Sequence, residues 1–198
     1  MRFTRITSIL LLGILAHAGL SLSGCTGAYV AGMGGSQFWL DTSNANDIEA
    51  AADPGWMVGV AAGQRLAFDG WDLRLEGELA NRQNDVHGRN NPRVSDIDLR
   101  GEEIDVQSLL VNAWPGWRFY GPFSFYGGVG IGAARVDTFD DVDYGFAGQG
   151  GLGFTADFGP WGLDLSYRYF AVTPTDHDGA EATYDAHGPV FKLTYTWQ

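Results

Sequence analysis

Three histidines follow the first 25 residues, His87, His177 and His187, and with a serine any of them could form a hydrolytic centre. Such a centre needs an imidazole within hydrogen-bond reach of the hydroxyl it deprotonates, with an acid to orient the ring. All three lie in or beside predicted long connections. His187 in "YDAHGPV" reads as a polar residue near the start of the last predicted strand. Acidic residues crowd "SDIDLRGEEID" (95–105), "DTFDDVDY" (137–144) and "TDHDGAEATYD" (175–185), and carboxylate oxygens suit Ca²⁺. No EF-hand spacing is present, however, and charge runs in loops are ordinarily solvated. The sequence therefore assigns no catalytic residue, no metal ligand and no cofactor.

Composition narrows the class. The formal net charge of -12 argues against nucleic acid as a partner, because phosphate binding needs a basic footprint. Glycine is abundant (29 residues), aromatic residues make up 14%, and Lys192 is the sole lysine. Abundant glycine and aromatic residues suit a turn-rich β protein better than a helical one. The single cysteine excludes an internal disulfide.

The N-terminus, "MRFTRITSILLLGILAHAGLSLSGC", has Arg2 and Arg5 ahead of an apolar run and small residues, the pattern of a secretory signal peptide. Residues 1–24 are expected to be that segment. Cleavage falls either after Ala18, in Ala16-His17-Ala18, or before Cys25, where Leu22-Ser23-Gly24-Cys25 has the form of a lipidation site. After it, no run approaches the ~18 to 20 apolar residues of a spanning helix. If residues 25–198 cross a membrane, they must do so as a barrel.

Period-2 stretches bounded by Gly, Pro, Asn and Asp predict eight strands, at about 28–40, 55–66, 71–82, 104–114, 123–136, 144–156, 161–170 and 189–197. Short connections ("AFDG", "PGWRFYGP", "DFGP") alternate with mostly longer polar ones, as in barrels with short turns on one side of a membrane and loops on the other. Trp71, Trp114, Trp117, Trp161 and Trp197 fall by the short-turn ends, and Trp39 and Trp56 by the first long loop. These seven are expected to form two interfacial bands, since tryptophan couples an apolar ring to an N–H that needs a partner. In "WDLRLEGEL", "LDLSYRYF" and "PVFKLTYTW" the apolar residues share one face and the charged residues the other. A mid-depth Arg or Lys facing lipid would cost roughly 2 to 4 kcal/mol, so the charged faces must turn inward. Arg74, Glu76, Glu78, Gln149, Asp164, Arg168 and Lys192 are expected to pair across a lumen only wide enough for side chains to fill. Gly128, Gly130 and Gly132 either make room for those side chains or relax the curvature of a tight wall. The expected fold is all-β, an eight-stranded antiparallel up-and-down transmembrane β-barrel after an N-terminal signal segment.

"YGGVGIGAARV" (126–136), "FAGQGGLGFTADFG" (146–159) and "LDLSYRYF" (163–170), in this order, resemble the opacity-type surface antigens and related small outer-membrane proteins with an OmpA-like barrel domain. The likeness is one of motifs over the C-terminal half and of architecture over the remainder. It implies a non-enzymatic barrel in a Gram-negative outer membrane, inserted by the barrel-assembly machinery. Outer-membrane lipid and lipopolysaccharide would surround it, and extracellular loops would contact a host or environmental ligand. One departure is Gln198, which follows Trp197 where the family ends on an aromatic residue. Arg89, Arg93 and Arg100 would suit anionic head groups. Two alternatives follow from the same residues: a lipid-modifying enzyme resembling the lipid A deacylases, or a soluble periplasmic barrel with its leucines and tyrosines inward around an apolar ligand.

Overall fold

The computed structural model describes residues 27–39, 50–52, 54–88, 102–138, 141–174 and 184–197. The candidate signal segment, Cys25, His177, Gln198 and much of the long connections lie outside the described residues. The elements are β1 (Ala28–Trp39), β2 (Ala50–Ala52), β3 (Gly55–Ala67), β4 (Trp71–Gly88), β5 (Glu102–Tyr120), β6 (Phe123–Thr138), β7 (Asp141–Phe158), β8 (Trp161–Pro174) and β9 (Tyr184–Thr196).

Eight of these, all but β2, form a closed barrel. Each pairs antiparallel with its neighbours in the chain, and β1 pairs with β9, for example Gly32 with Leu193, to seal the ring. Closure satisfies every strand's ladder and leaves no edge, which is the condition for crossing lipid with strands. The three-residue β2 lengthens the rim by pairing Ala50–Ala52 with Gly88–Val86 of β4.

The short turns are 68–70, 121–122 and 159–160, and each carries a glycine at positive φ: Gly70 at 79°, Gly121 at 51° and Gly159 at 61°. A Cβ at any of the three would meet nothing within 4 Å, so the backbone conformation, not space, requires glycine there.

The second turn differs from the sequence expectation. "PGWRFYGP" is not a connection: β5 runs on through Pro115 and Gly116 to Tyr120, and the turn is Gly121-Pro122. Pro115 is tolerated because the β5–β6 ladder skips from Ala113–Val129 to Gly116–Tyr126, so its missing N–H interrupts one side of the strand without ending it. At the opposite end the strands outrun their predicted limits, β4 to Gly88 and β5 from Glu102, and β9 begins at Tyr184.

This extra length has a cause in polarity. Along the outer face of β4, Leu73, Leu75 and Leu79 give way to Asn81 and Gln83. On β5, Val111 and Leu109 give way to Gln107 and Asp105, and on β6, Ile131 and Ala133 to Arg135 and Asp137. On β4, β5 and β6 the last apolar residues of the outer face are in register, Leu79 with Leu109 and Leu109 with Ala133. Beyond that line the inner face carries Ile104, Val106, Val136, Val172 and Tyr184, packed in one buried cluster. On β4, β5 and β6 the outer wall turns from oily to polar at this line, while the inner wall beyond it combines that apolar cluster with the buried polar residues Arg82 and Asn84.

Candidate functional site

The inner face of β4 supplies the central carboxylates, because Asp72, Arg74, Glu76, Glu78 and Arg82 share one parity of the strand. Glu76 accepts hydrogen bonds from Lys192 Nζ at 3.0 Å, Tyr29 OH at 2.8 Å, Trp114 Nε1 at 2.8 Å and Asn112 Nδ2 at 3.4 Å. Glu78 accepts from Arg168 Nη1 at 2.8 Å and from Asn112 Nδ2 and Gln149 Nε2, both at 3.1 Å. Gln149 Nε2 also reaches Asn112 Oδ1 at 2.7 Å, so Asn112 ties the two carboxylates together. A second group lies nearer the short turns: Arg74 Nη1 donates to Asp164 at 2.8 Å, and Asp164 also accepts from the hydroxyls of Thr155 and Thr194. Aromatic rings join the groups, with the Arg74 guanidinium 4.1 Å over the Tyr126 ring and Tyr126 edge-on to Trp114.

The structure thus places Arg74, Glu76, Glu78, Gln149, Asp164, Arg168 and Lys192 on the inner face, all buried, as two hydrogen-bonded groups. Desolvated charges of this kind are tolerable only when paired and further hydrogen-bonded, which residues of six strands, β1, β4, β5, β7, β8 and β9, together achieve here. The inward glycines divide between the two roles expected for them. A Cβ at Gly130 would lie 1.7 Å from Asn112 Oδ1, so that glycine makes room for a side chain of β5, while one at Gly128 would meet both the Ala113 carbonyl oxygen at 2.1 Å and the Trp114 ring at 2.7 Å and so serves both roles. One at Gly132 would lie 2.0 Å from the Leu109 carbonyl oxygen, so that glycine permits close strand approach.

The aromatic bands need one correction. Trp71, Trp117 and Trp161 are exposed on the outer wall at the short-turn end, where Trp71 pairs with Trp117 across β4–β5, and Trp56 is exposed at the other end. Trp197 is half-buried beside Tyr195, and the Trp39 side chain lies outside the described residues. Trp114 belongs to neither band: it is 0% exposed, inside the lumen, with its indole N–H spent on Glu76. Once β5 is seen to continue through Pro115, Trp114 lies within the strand on the parity of Asn112 and Leu110, which faces inward. Phe119, Tyr120, Phe123 and Phe158 join Trp117 and Trp161 at the short-turn end.

Several inward residues escaped the sequence reading: Tyr29, Arg82, Ser108, Asn112 and Thr155. Arg82 was legible from its even spacing to Glu78, whereas the others are short or aromatic and look alike on either face. At the turn-side mouth Arg65 bonds both Asp72 and Asp157, each at 2.7 Å, clasping β3 to β4 and, across the opening, to β7.

His187 stands inside β9 on the outer wall, its Nδ1 2.6 Å from Tyr167 OH and its ring beside Phe38. Its polar partner is thus a phenol, not a serine. His87 falls in β4, and its side chain lies outside the described residues. Among the described residues no three His, Cys, Asp or Glu side chains converge as a metal site.

A closed antiparallel barrel with an apolar outer band, aromatic residues at its borders and charged residues within is a membrane-spanning β-barrel. The chain belongs to the outer membrane protein β-barrel domain family, whose model matches residues 7–197, and it resides in the outer membrane of Gram-negative bacteria. Its fold is similar to the crystal structure of Neisserial surface protein A, at 14% identity and a TM-score of 0.58, over 86% of this chain and 97% of that one. It is also similar to Ail, the attachment invasion locus protein of Yersinia pestis, crystallised with the heparin analogue sucrose octasulfate. That match has 16% identity and a TM-score of 0.43, over 86% of this chain and 98% of that one. No curated protein sequence matches the chain significantly.

Proposed function

We propose that this protein is a non-enzymatic envelope barrel: a filled scaffold that holds acidic extracellular loops at the cell surface. The observation that carries the reading is the occupancy of the lumen. Arg65, Asp72 and Asp157 clasp its turn-side mouth, the charged groups on Glu76, Glu78 and Asp164 fill its middle, and the cluster around Val106, Val136 and Val172 fills its outer end. Such a barrel offers solutes no continuous water path. Function then passes to the outer surface, where the acidic runs within 95–105, 137–144 and 175–185 lie beyond or at the ends of the strands. Their partners are lipopolysaccharide, through bridging divalent cations, and a host or environmental ligand. The His187–Tyr167 pairing supports a non-enzymatic role, since it leaves the imidazole without a hydroxyl nucleophile of the serine type.

The test is reconstitution of the full chain in liposomes loaded with small sugars. Swelling at the rate of empty liposomes, with no unit conductance in planar bilayers, is the expected result. Steady sugar flux or discrete conductance steps would make the protein a pore and overturn the reading.

A further inference from the structure

We propose that the outer half of the lumen holds a monovalent anion of halide size against Arg82. The argument begins with charge arithmetic. Three buried cations each have a carboxylate of their own: Arg74 with Asp164 at 2.8 Å, Arg168 with Glu78 at 2.8 Å and Lys192 with Glu76 at 3.0 Å. Arg82 is the fourth, 1% exposed, and among the described residues its nearest carboxylate oxygen is Glu78 Oε1, 3.8 Å from Nη2. The other oxygen of Glu78 is already bonded to Arg168. The compensating negative charge lies at the opposite mouth, where Arg65 faces two aspartates. Ten residues of tilted strand, roughly 25 Å of barrel axis, separate Arg82 from Asp72.

The local geometry suits a small anion. Arg82 Nη1 donates to Ser108 Oγ at 2.6 Å, which leaves the serine its own proton to give. The Phe170 ring covers one face of the guanidinium at 3.7 Å, and Nε donates to nothing. In register at this point the inward residues of four successive strands are small: Ala80, Ser108, Ala134 and Gly145. Donors without an acceptor, beside small residues and an apolar layer of Val106 and Val172, form a site for one desolvated negative charge. The surplus in this group of described residues is a single positive charge, which matches a monovalent anion and not a dianion.

The experiment is urea unfolding of the full chain in detergent micelles, with chloride replaced by gluconate at constant ionic strength. In the wild type the folded-to-unfolded ratio is expected to rise tenfold for each tenfold increase in chloride above the dissociation constant. Arg82→Gln should remove the dependence, and so should Ser108→Asp, which supplies a built-in carboxylate. A wild-type midpoint indifferent to chloride would overturn the proposal, as would the wild-type slope persisting in either variant. Should neither variant fold, anomalous diffraction from bromide-grown crystals decides: a peak beside Arg82 supports the site and its absence refutes it.

Discussion

Lys192→Met separates the two possible orientations of this barrel wall by the sign of a single free energy. Were Lys192 on the lipid face, its removal from mid-depth would stabilise the fold by roughly 2 to 4 kcal/mol. In the structure its ammonium is fully buried, 3.0 Å from Glu76 Oε2 and across the β8–β9 ladder from Asp164. Methionine keeps most of the volume, so the loss is chiefly that of the charge. Glu76 would retain the Tyr29, Trp114 and Asn112 hydrogen bonds but would stand in a low-dielectric interior without its cation. Breaking a buried pair from one side costs about 3 to 5 kcal/mol. The double change Lys192→Met with Glu76→Gln removes both charges and keeps an acceptor for Trp114. It should be more stable than Lys192→Met alone, giving a coupling of at least ~2 kcal/mol. Urea unfolding in lipid vesicles followed by tryptophan fluorescence reads all three variants. A neutral or stabilising Lys192→Met, or single effects that simply add, would refute the inward, paired placement.

Other perturbations test the wall, the turns and the inner glycines. Leu165→Arg, exposed midway along the outer face of β8, should destabilise by roughly 2 to 4 kcal/mol, whereas Phe158→Arg at the turn-side border should cost about 0 to 1 kcal/mol; equal penalties would contradict the band. Gly159→Ala meets open space but forces a Cβ into positive φ, so a loss of about 1 to 2 kcal/mol in the same assay is expected. Gly130→Leu drives carbon into Asn112 and should impair refolding far more than Gly127→Leu, whose Cβ meets nothing closer than 3.5 Å. Reversal of that order would mean that Gly130 does not face the lumen. Finally, the folded chain should resist cold SDS and change mobility on boiling; a single unheated band at the denatured position would deny a closed barrel.

The membrane-spanning half of each strand was legible because one rule governs it. Lipid excludes charge, so a charged parity such as Arg74, Glu76 and Glu78 must face inward whatever the neighbours do. Strand order and closure then follow from short turns alternating with long loops. What the sequence hid is of two kinds. Side chains that serve equally well on either wall, such as Tyr29, Asn112 and Thr155, carry no parity signal, and only the register that brings Asn112 between Glu76 and Glu78 assigns them. Trp114 is the same ambiguity in an aromatic residue: beside Pro115-Gly116 it reads as the end of a strand, yet its N–H answers a buried carboxylate and not a head group.

The second kind of hidden information lies in the strand ends, and it bears on function. A reader who follows alternation with a fixed oily face ends β5 near Ile104, because Asp105 and Gln107 there occupy the parity of Leu109 and Val111. The strand does not stop; its solvent changes. Outside the bilayer, water rewards polar residues on the outer wall, and the inner wall needs its own apolar filling, supplied by Ile104, Val106, Val136 and Val172. The line through Leu79, Leu109 and Ala133 is therefore where the outer wall of β4, β5 and β6 passes from apolar to polar. Above it β4, β5 and β6 form a collar with a water-facing exterior and a core of its own. On the function proposed above, this collar would hold contacts made by the acidic connections apart from the charged network below.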